Sequence, residues 1–309
     1  MNKLIVMTEQ FDFNSPQEEI RMRKEKYKTD LLEKIESFGI ELDPDRKDQH
    51  LIVDPEVIED MVSFAEISPD DVVLEIGSGP GNITEKLAER AGHVYAVEVD
   101  PRFKPILDDL QSRHPNTDII MGDFLELELP AFNKIVANPP FSILEPMIQK
   151  LSDLDVEQIV LAIGEKYYRR SVAEPGSGDF TKTSLFTQAH FKSSVLRKLE
   201  KEVFFPKSRE IAVIMKLLSV GGRGNSIMRH ISNAFSKNAG QRVNILVNNI
   251  INQFGPRMSK SDLRNHPDKI VPLSLHISQG ILSKRLQELS NNEISSLVRR
   301  LISVNQRVR

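Results

Sequence analysis

Short apolar runs alternate with segments of helix length over most of this 309-residue chain, and this alternation is what most constrains its fold. The runs that predict strands cover residues 71–76, 93–99, 118–121, 134–137, 159–163, 194–199 and 211–217. Helices are predicted between them, for example over residues 82–90 and 142–151. Strands separated by helices of this length indicate a parallel, doubly wound α/β sheet.

The region before the first predicted strand contains a helix signal of its own. Ser15-Pro16-Gln17-Glu18 is a capping box with proline at the first helical position, and Gly39 is a plausible stop. The highly charged helix between them is expected to pack on the main domain rather than to act separately. The apolar side chains expected on its packed face are Ile20, Tyr27, Leu31, Ile35 and Phe38.

The last part of the chain shows no strand pattern. After the clearest linker, Gly221-Gly222-Arg223-Gly224, helices are predicted over residues 227–235, 241–254, 275–289 and 293–304. We therefore expect three parts: an N-terminal helical extension over residues 1–46, an α/β domain over 47–220 and a helical domain over 221–309.

Charge is distributed unevenly between these parts. Residues 221–309 carry 14 Lys and Arg against 4 Asp and Glu, a local net charge of +10. The preceding 220 residues carry 27 basic and 40 acidic residues, a net charge of −13. A basic tail on an acidic body indicates a polyanionic partner such as RNA, although a solubilising charge bias is the alternative.

Several classes of protein are disfavoured by composition. The chain has no Cys, which excludes disulfides and thiolate sites and fits a cytoplasmic location. No apolar run is long enough to predict a membrane span, and the N-terminus does not have the pattern of a signal peptide. The seven histidines are scattered without a ligand spacing, so no metal is expected.

The first chemical motif is the turn Gly77-Ser78-Gly79-Pro80-Gly81 after the first predicted strand. Glycines let the backbone approach a ligand closely, and the helix that follows offers free N–H groups. Such a turn serves a dinucleotide, a mononucleotide or a sulfonium cofactor, and it can also occur without a ligand.

Two carboxylates narrow these possibilities. Glu98 closes the second predicted strand, where a carboxylate can accept hydrogen bonds from both ribose hydroxyls. Asp123 closes the third, where it could accept from an adenine amine. Both indicate a nucleoside cofactor.

The most specific motif is Asn138-Pro139-Pro140-Phe141 at the end of the fourth predicted strand. Consecutive prolines stiffen the turn and remove two N–H donors. The Asn138 side-chain oxygen and the Pro139 carbonyl could then accept both protons of one planar amine, and Phe141 could stack on its ring. This arrangement favours methyl transfer from a sulfonium to an amine over the hydride chemistry of a dinucleotide.

Together these motifs resemble the ribosomal RNA adenine N6-dimethyltransferases, the KsgA-type family, over residues 47–309. The resemblance is carried by Gln49-His50-Leu51-Ile52-Val53-Asp54, Glu75 to Gly81 with Thr84, Glu98-Val99-Asp100, Gly122-Asp123-Phe124 and Lys284 to Ser290 with Glu293. It implies a Rossmann-like seven-stranded class I methyltransferase sheet followed by a small C-terminal α-helical domain.

The resemblance also implies what the site holds. S-adenosylmethionine would be the cofactor, contacted by His50, Ile52, Gly77, Gly79, Glu98, Asp123 and Asn138. Asn138, Pro139, Pro140 and Phe141 would hold the target adenine. The partner would be ribosomal RNA or the small ribosomal subunit, and the enzyme is expected to be a cytoplasmic monomer that acts in ribosome biogenesis.

Three features depart from the family pattern. Asn-Pro-Pro-Phe replaces the usual Asn-Leu-Pro-Tyr, a form that other amine methylases share. Phe204 to Ile211 keeps little of the family's proline-rich segment, which leaves the second aromatic wall of the base pocket open. The 46-residue extension is atypical. Two alternatives therefore stand: an amine methyltransferase of DNA, protein or a small molecule, and a non-catalytic rRNA-binding assembly factor.

Overall fold

The computed structural model describes residues 16–45, 47–220, 226–254 and 277–306. Its first half contains α1 (Pro16–Ser37), β1 (Leu51–Ile52), α2 (Pro55–Phe64), β2 (Val72–Ile76), α3 (Asn82–Ala88), β3 (His93–Glu98), α4 (Lys104–Arg113), β4 (Thr117–Met121), β5 (Lys134–Ala137) and α5 (Leu144–Leu151). The capping Ser15 and the predicted linker Gly221–Gly224 lie outside the described residues.

The second half begins with β6 (Gln158–Gly164), α6 (Glu165–Ser171), α7 (Lys182–His190), β7 (Phe191–Leu199), β8 (Phe204–Phe205) and β9 (Ala212–Ser219). It continues with α8 (Ser226–Lys237), α9 (Val243–Phe254), α10 (Gln279–Ser283) and α11 (Asn291–Gln306). The predicted helix over residues 275–289 is wrong as a single element, because Lys284 and Arg285 are extended between α10 and a short 3₁₀ turn.

The seven-stranded sheet has the order β4-β3-β2-β5-β6-β9-β7. Its first five strands are parallel, as predicted, whereas β9 runs antiparallel to both β6 and β7. The expectation of a wholly parallel sheet is therefore wrong for this edge. No crossover helix separates β7 from β9, and strands joined without a crossover pair antiparallel.

Alternation along the strands divides the core between the two faces of the sheet. Ile135 and Ile159 face a cluster with α5 and α7, whereas Val136 and Val160 face a cluster with α2 and α3. Side chains that alternate in this way are all buried because helices cover both faces.

The C-terminal helices share the first of these clusters. Ile227 and Ile231 of α8, Leu246 of α9 and Val298 of α11 belong to the same cluster of buried side chains as Phe186 of α7. The Ser295 hydroxyl of α11 also accepts from the Gly176 N–H at 2.7 Å, which docks α11 on the loop before α7.

The α1 helix packs on the sheet through only part of its predicted face. Leu31 and Ile35 are buried against Leu51 of β1, Phe103 just before α4 and Leu107 of α4. Ile20 and Phe38 are exposed, so their predicted packing is wrong. Ile20 lies in the part of the helix that extends beyond this contact, and the chain turns away from it at Gly39, whose φ is +66°.

Candidate active site

The predicted chemical residues meet at the carboxyl ends of three neighbouring strands. The turn from Gly77 to Gly81 follows β2, Glu98 ends β3, and Asn138 follows β5. Gly77 has a φ of +76°, and a Cβ on it would lie 3.3 Å from Pro140 Cδ. The glycine therefore lets the β2 turn approach the β5 turn closely, and the space between them opens toward β3.

A cavity of about 340 Å³ lies at this edge, and we call it the strand-edge cavity. Small-molecule sites have volumes of about 300–1,000 Å³. Six of the predicted site residues line it: His50, Gly77, Gly79, Glu98, Asn138 and Pro140. Val99, which is 63% exposed, gives it an apolar wall beside Glu98.

Glu98 is fixed at the floor of this cavity by two backbone donors. Its Oε2 accepts from the Gly79 N–H at 2.7 Å, and its Oε1 accepts from the Asp100 N–H at 2.7 Å. Burial raises the pKa of this carboxyl, and the Asp100 and Gly79 N–H groups act against that rise. Each carboxylate oxygen retains a lone pair that can accept a further hydrogen bond.

Asn138 is oriented by a single hydrogen bond. Its Nδ2 donates to the His50 carbonyl at 2.7 Å, which ties the end of β5 to the residue before β1. Among the described residues this is the only hydrogen bond of the Asn138 side chain, so Oδ1 is left as an acceptor. The amide is therefore held in a definite orientation without using its oxygen.

Four predicted residues lie outside the lining of the strand-edge cavity. Ile52 is buried in the core beneath it, and its carbonyl accepts from Asn82 Nδ2 at 2.9 Å. Asp123 is exposed after β4, where its Oδ1 accepts from the Leu125 N–H at 2.9 Å. Pro139 is buried, and Phe141 lines the neighbouring cavity instead.

This neighbouring cavity has a volume of about 430 Å³, and we call it the aromatic cavity. Phe141 and Tyr167 both line it, together with Arg170 and Glu210. The Tyr167 hydroxyl donates to the Leu144 carbonyl at 3.2 Å, and burial raises its pKa. Sequence reasoning missed Tyr167, since a single tyrosine outside the recognised motifs gives no signal of its own.

The shortened segment after β7 does not provide the second aromatic wall. Phe204 and Phe205 form β8, which pairs antiparallel with β1. Phe204 is buried in the core, and Phe205 lies beneath the Lys28 ammonium of α1 at 5.7 Å. Neither phenylalanine lines the aromatic cavity.

A second group that sequence reasoning missed surrounds Asp100, two residues after Glu98. The Asp100 carboxylate is buried and accepts from Lys47 Nζ at 2.8 Å, Gln49 Nε2 at 2.9 Å and Arg102 Nη2 at 2.6 Å. These partners, Arg102 first, hold the pKa of Asp100 well below its usual range. The network fastens residues 47–49 over the strand-edge cavity.

Glu75, at the end of β2, is fully buried behind the glycine turn. Burial raises its pKa to about 8, although the Thr84 hydroxyl donates to it at 2.5 Å; the nearby Glu98 charge raises the pKa further. The contact joins β2 to α3 and closes the back of the turn. Its partners in the core make Glu75 a supporting residue rather than part of the cavity wall.

The described residues offer neither a metal site nor a membrane span. Within them, no group of three or more His, Asp or Glu side chains is arranged as a metal site. None of the helices in the same ranges combines the length and apolar character that crossing a membrane requires.

Comparison with known proteins shows which family the chain resembles. Residues 45–226 match the model of the family described as ribosomal RNA adenine dimethylase. A probable ribosomal RNA small subunit methyltransferase A of Methanopyrus kandleri is 39% identical over 173 residues, which are 56% of this chain and 62% of that protein. The chain thus spans less than two thirds of this relative.

Other matches extend further along the chain. The protein of the same name in Methanosarcina mazei is 31% identical over 265 residues, 84% of this chain and 93% of the relative. A dimethyladenosine transferase from Plasmodium falciparum has the same fold, with a TM-score of 0.56, 19% identity and coverage of 79% and 95% of the two chains.

The 23S rRNA methyltransferase ErmE also shares the fold, with a TM-score of 0.51, 21% identity and coverage of 80% and 97%. These solved structures confirm the predicted methyltransferase fold, and the family model covers more than half of the chain. The chain belongs to the ribosomal RNA adenine dimethylase family.

Proposed function

We propose that this protein transfers methyl groups from S-adenosylmethionine to the exocyclic N6 amine of an adenine in small-subunit ribosomal RNA. The observation that carries the proposal is the orientation of Asn138 at the strand edge. Its Nδ2 is engaged by the His50 carbonyl, so that Oδ1 remains for an amine proton. Family membership supports the methyltransferase class and its cofactor.

The strand-edge cavity has the features that a nucleoside cofactor requires. Glu98 offers carboxylate oxygens to ribose hydroxyls, Val99 offers an apolar face to an adenine ring, and the turn at Gly77 leaves the backbone open to close approach. We assign Gly79 and His50 to the same site. Ile52 and Asp123 would act from beside it, Ile52 as core support and Asp123 through its free Oδ2.

The bound cofactor supplies an electrophilic methyl group on a sulfonium, and the side chains position the acceptor for it. Asn138 Oδ1 and the Pro139 carbonyl would each accept a hydrogen bond from one N–H of the adenine amine. These hydrogen bonds would keep the lone pair of the amine nitrogen available. Phe141 and Tyr167 would hold the ring in the aromatic cavity. Since an in-line transfer depends on positioning and electrostatics, no strong general base is needed.

An adenine inside a duplex cannot reach this pocket, so the acceptor would be an unpaired or flipped base. Basic side chains lie at the pocket, where Lys166, Arg170 and Arg209 line the aromatic cavity and can meet the flanking phosphates. The relatives' names support the small-subunit rRNA as partner. A monomeric, cytoplasmic enzyme is part of the proposal.

The test compares methyl transfer to small-subunit rRNA, DNA and protein by wild type and Asn138→Ala. Wild type should methylate rRNA alone. The variant should lose activity by about 100-fold or more, because it lacks the acceptor of the amine, while its S-adenosylmethionine affinity by calorimetry stays within about tenfold. Asn249→Ala, at an exposed position of α9, is the control and should keep wild-type activity.

Each other outcome would support a different function for this protein. Activity on DNA or protein but not on RNA would support the wider class of amine methyltransferases. Binding of rRNA without any transfer would support a non-catalytic assembly factor. Wild-type transfer by Asn138→Ala would refute the role proposed for Asn138.

A further inference from the structure

One short segment forms a wall between the two cavities of the site. It consists of residues 47–50, and we call it the strap. Asp48 and His50 line both the strand-edge cavity and the aromatic cavity. The strap is therefore the part of the chain that a bound cofactor and a bound acceptor would contact from opposite sides.

On the cofactor side, the strap is fastened to Asp100. Lys47 Nζ and Gln49 Nε2 donate to Asp100 Oδ2 at 2.8 and 2.9 Å. The Gln49 side-chain oxygen also accepts from the Asp43 N–H at 2.9 Å. These contacts hold the strap near Glu98, which ends the neighbouring strand β3.

On the acceptor side, the strap is fastened to the turn after β5. The His50 carbonyl accepts from Asn138 Nδ2, and the Asp48 carboxylate Oδ2 accepts from the Ser142 N–H at 3.0 Å. Ser142 lies in the 3₁₀ turn Phe141–Ile143 that leads into α5. The first N–H groups of such a turn lack partners within it, so the carboxylate of Asp48 supplies one from outside.

The backbone of Asp48 has a conformation that few side chains tolerate. Its φ is +54°, in the left-handed region that favours glycine and that Asp and Asn tolerate better than other side chains. A glycine would adopt this conformation without strain, but it would have no carboxylate to accept from the Ser142 N–H. An asparagine could adopt it and still present an acceptor oxygen.

We propose that Asp48 is a positioning residue for the methyl acceptor, because its hydrogen bond to the Ser142 N–H fixes the turn that carries Phe141. The inference rests on the proposed function and deepens it by assigning the orientation of the acceptor wall to a residue outside the Asn138 motif. Asp48 acts through Phe141 and Ser142, whereas cofactor binding depends on Glu98 and the glycine turn.

The experiment uses Asp48→Gly, Asp48→Asn and wild type as full-length proteins. Glu66→Gly is the matched control, because Glu66 is the other described non-glycine residue with a positive φ, at +51°. It lies at the opposite end of the sheet, where its carbonyl accepts from Nζ of Lys134, the first residue of β5. For each protein we would measure hydrogen exchange of the Ser142 amide, the Kd for S-adenosylmethionine, and kcat and KM with small-subunit rRNA.

Asp48→Gly should lose protection of the Ser142 amide and raise the KM for RNA by about tenfold or more, with the cofactor Kd changed by less than about threefold. Asp48→Asn should restore both the protection and the KM, and Glu66→Gly should match wild type. An unchanged Ser142 amide in Asp48→Gly would overturn the proposal. An equal loss of cofactor affinity in both Asp48 variants would also overturn the proposal, because it would show that Asp48 acts as part of the wall of the cofactor cavity.

Hydrogen exchange separates this inference from the proposed function. If wild type does not methylate rRNA, the proposed function fails. The exchange of the Ser142 amide in Asp48→Gly and Asp48→Asn still decides whether Asp48 holds the Phe141 turn.

Discussion

At the scale of single residues, two buried carboxylates lie behind one glycine turn. Glu75 ends β2 and Glu98 ends β3, and burial raises the pKa of both. Glu98 meets two backbone N–H groups and faces a cavity, whereas Glu75 meets a hydroxyl and faces the core. The first is suited to bind a ligand, and the second has consequences for stability.

Glu75 should make the stability of the fold depend on pH. Its pKa of about 8 in the folded chain exceeds the ordinary value of 4.5, so the folded chain binds this proton more tightly than the unfolded chain does. The protonated group stabilises the fold fully below pH 4.5, and this contribution is lost as the pH rises through about 8.

Urea unfolding of wild type and Glu75→Gln at a series of pH values measures this effect. The free energy of unfolding of wild type should fall more steeply between about pH 5 and pH 8 than that of the variant, whose amide does not ionise. Glu89→Gln, at an exposed acid just after α3, should follow wild type. Identical pH slopes for wild type and Glu75→Gln would contradict the assignment.

Asp123 gives a second prediction at this scale. Asp123→Ala should weaken S-adenosylmethionine binding by about 1–3 kcal/mol, because the adenine amine would lose its acceptor. Calorimetry with Asp118→Ala, another exposed acid of the β4 region, provides the control. Unchanged affinity in Asp123→Ala would show that this residue does not bind the cofactor. The test is needed because Asp123 does not line the strand-edge cavity.

The site was predictable from sequence where its residues lie within short motifs at strand ends. Gly77, Glu98 and Asn138 follow strands that the hydrophobic pattern indicates, and parallel strands bring their carboxyl ends to one edge. Asp48 and Tyr167 were not predictable in this way. Their roles depend on contacts with Ser142 and Leu144, and no local pattern encodes a contact made in three dimensions.

At the scale of elements, hydrophobic periodicity located the strands better than it located their directions. The predicted and observed bounds of β2, β4 and β5 differ by no more than one residue. The antiparallel pairing of β9 depends on the connection from β7, which runs through β8 without a crossover helix. Strand composition carries no information about that path.

The broken helix before α11 has a similar explanation. Apolar spacing over residues 275–289 satisfies a helical period, but tertiary contacts compete with it. The Val243 N–H donates to the Lys284 carbonyl, and the Leu286 N–H donates to the Gln241 carbonyl, both at 2.9 Å. These bonds to the start of α9 take the backbone groups that a continuous helix would use.

The extension helix α1 yields a prediction at this scale. Ile35 is 3% exposed in the cluster with Leu51 and Phe103, so Ile35→Ala should lower the free energy of unfolding by about 2–5 kcal/mol. Ile20→Ala, on the same helix but 44% exposed, should change it by less than about 0.5 kcal/mol. Urea unfolding compares the two, and equal small effects would show that α1 does not stabilise the catalytic part.

At the scale of the whole molecule, charge separates the C-terminal helices from the rest of the chain, whereas packing joins them to it. Residues 221–309 have a net charge of +10, whereas the preceding 220 residues have a net charge of −13. The described helices after that point nevertheless share a hydrophobic cluster with the sheet. The three-part division stays a prediction, and charge substitutions in the full chain test the tail better than truncation.

The basic tail should supply part of the attraction for RNA. Replacing Lys237, Arg242 and Arg285, all exposed, by Gln should weaken RNA binding and make it less dependent on salt, by up to about 0.7 in log–log slope for each lost phosphate contact. Lys86 and Lys104, which pair with Glu89 and Asp108, are the controls. Equal salt slopes for all proteins would restore the interpretation of the tail as a solubilising module.

The most direct test of the whole account is the identity of the methylated nucleoside. Small subunits from a strain that lacks the rRNA adenine methylase would be incubated with the purified protein and S-adenosylmethionine. Their RNA would then be digested and analysed by mass spectrometry. We expect N6-methylated and N6,N6-dimethylated adenosine, both absent with Asn138→Ala. Methylation on a ring nitrogen, on ribose or on another base, or none at all, would contradict it.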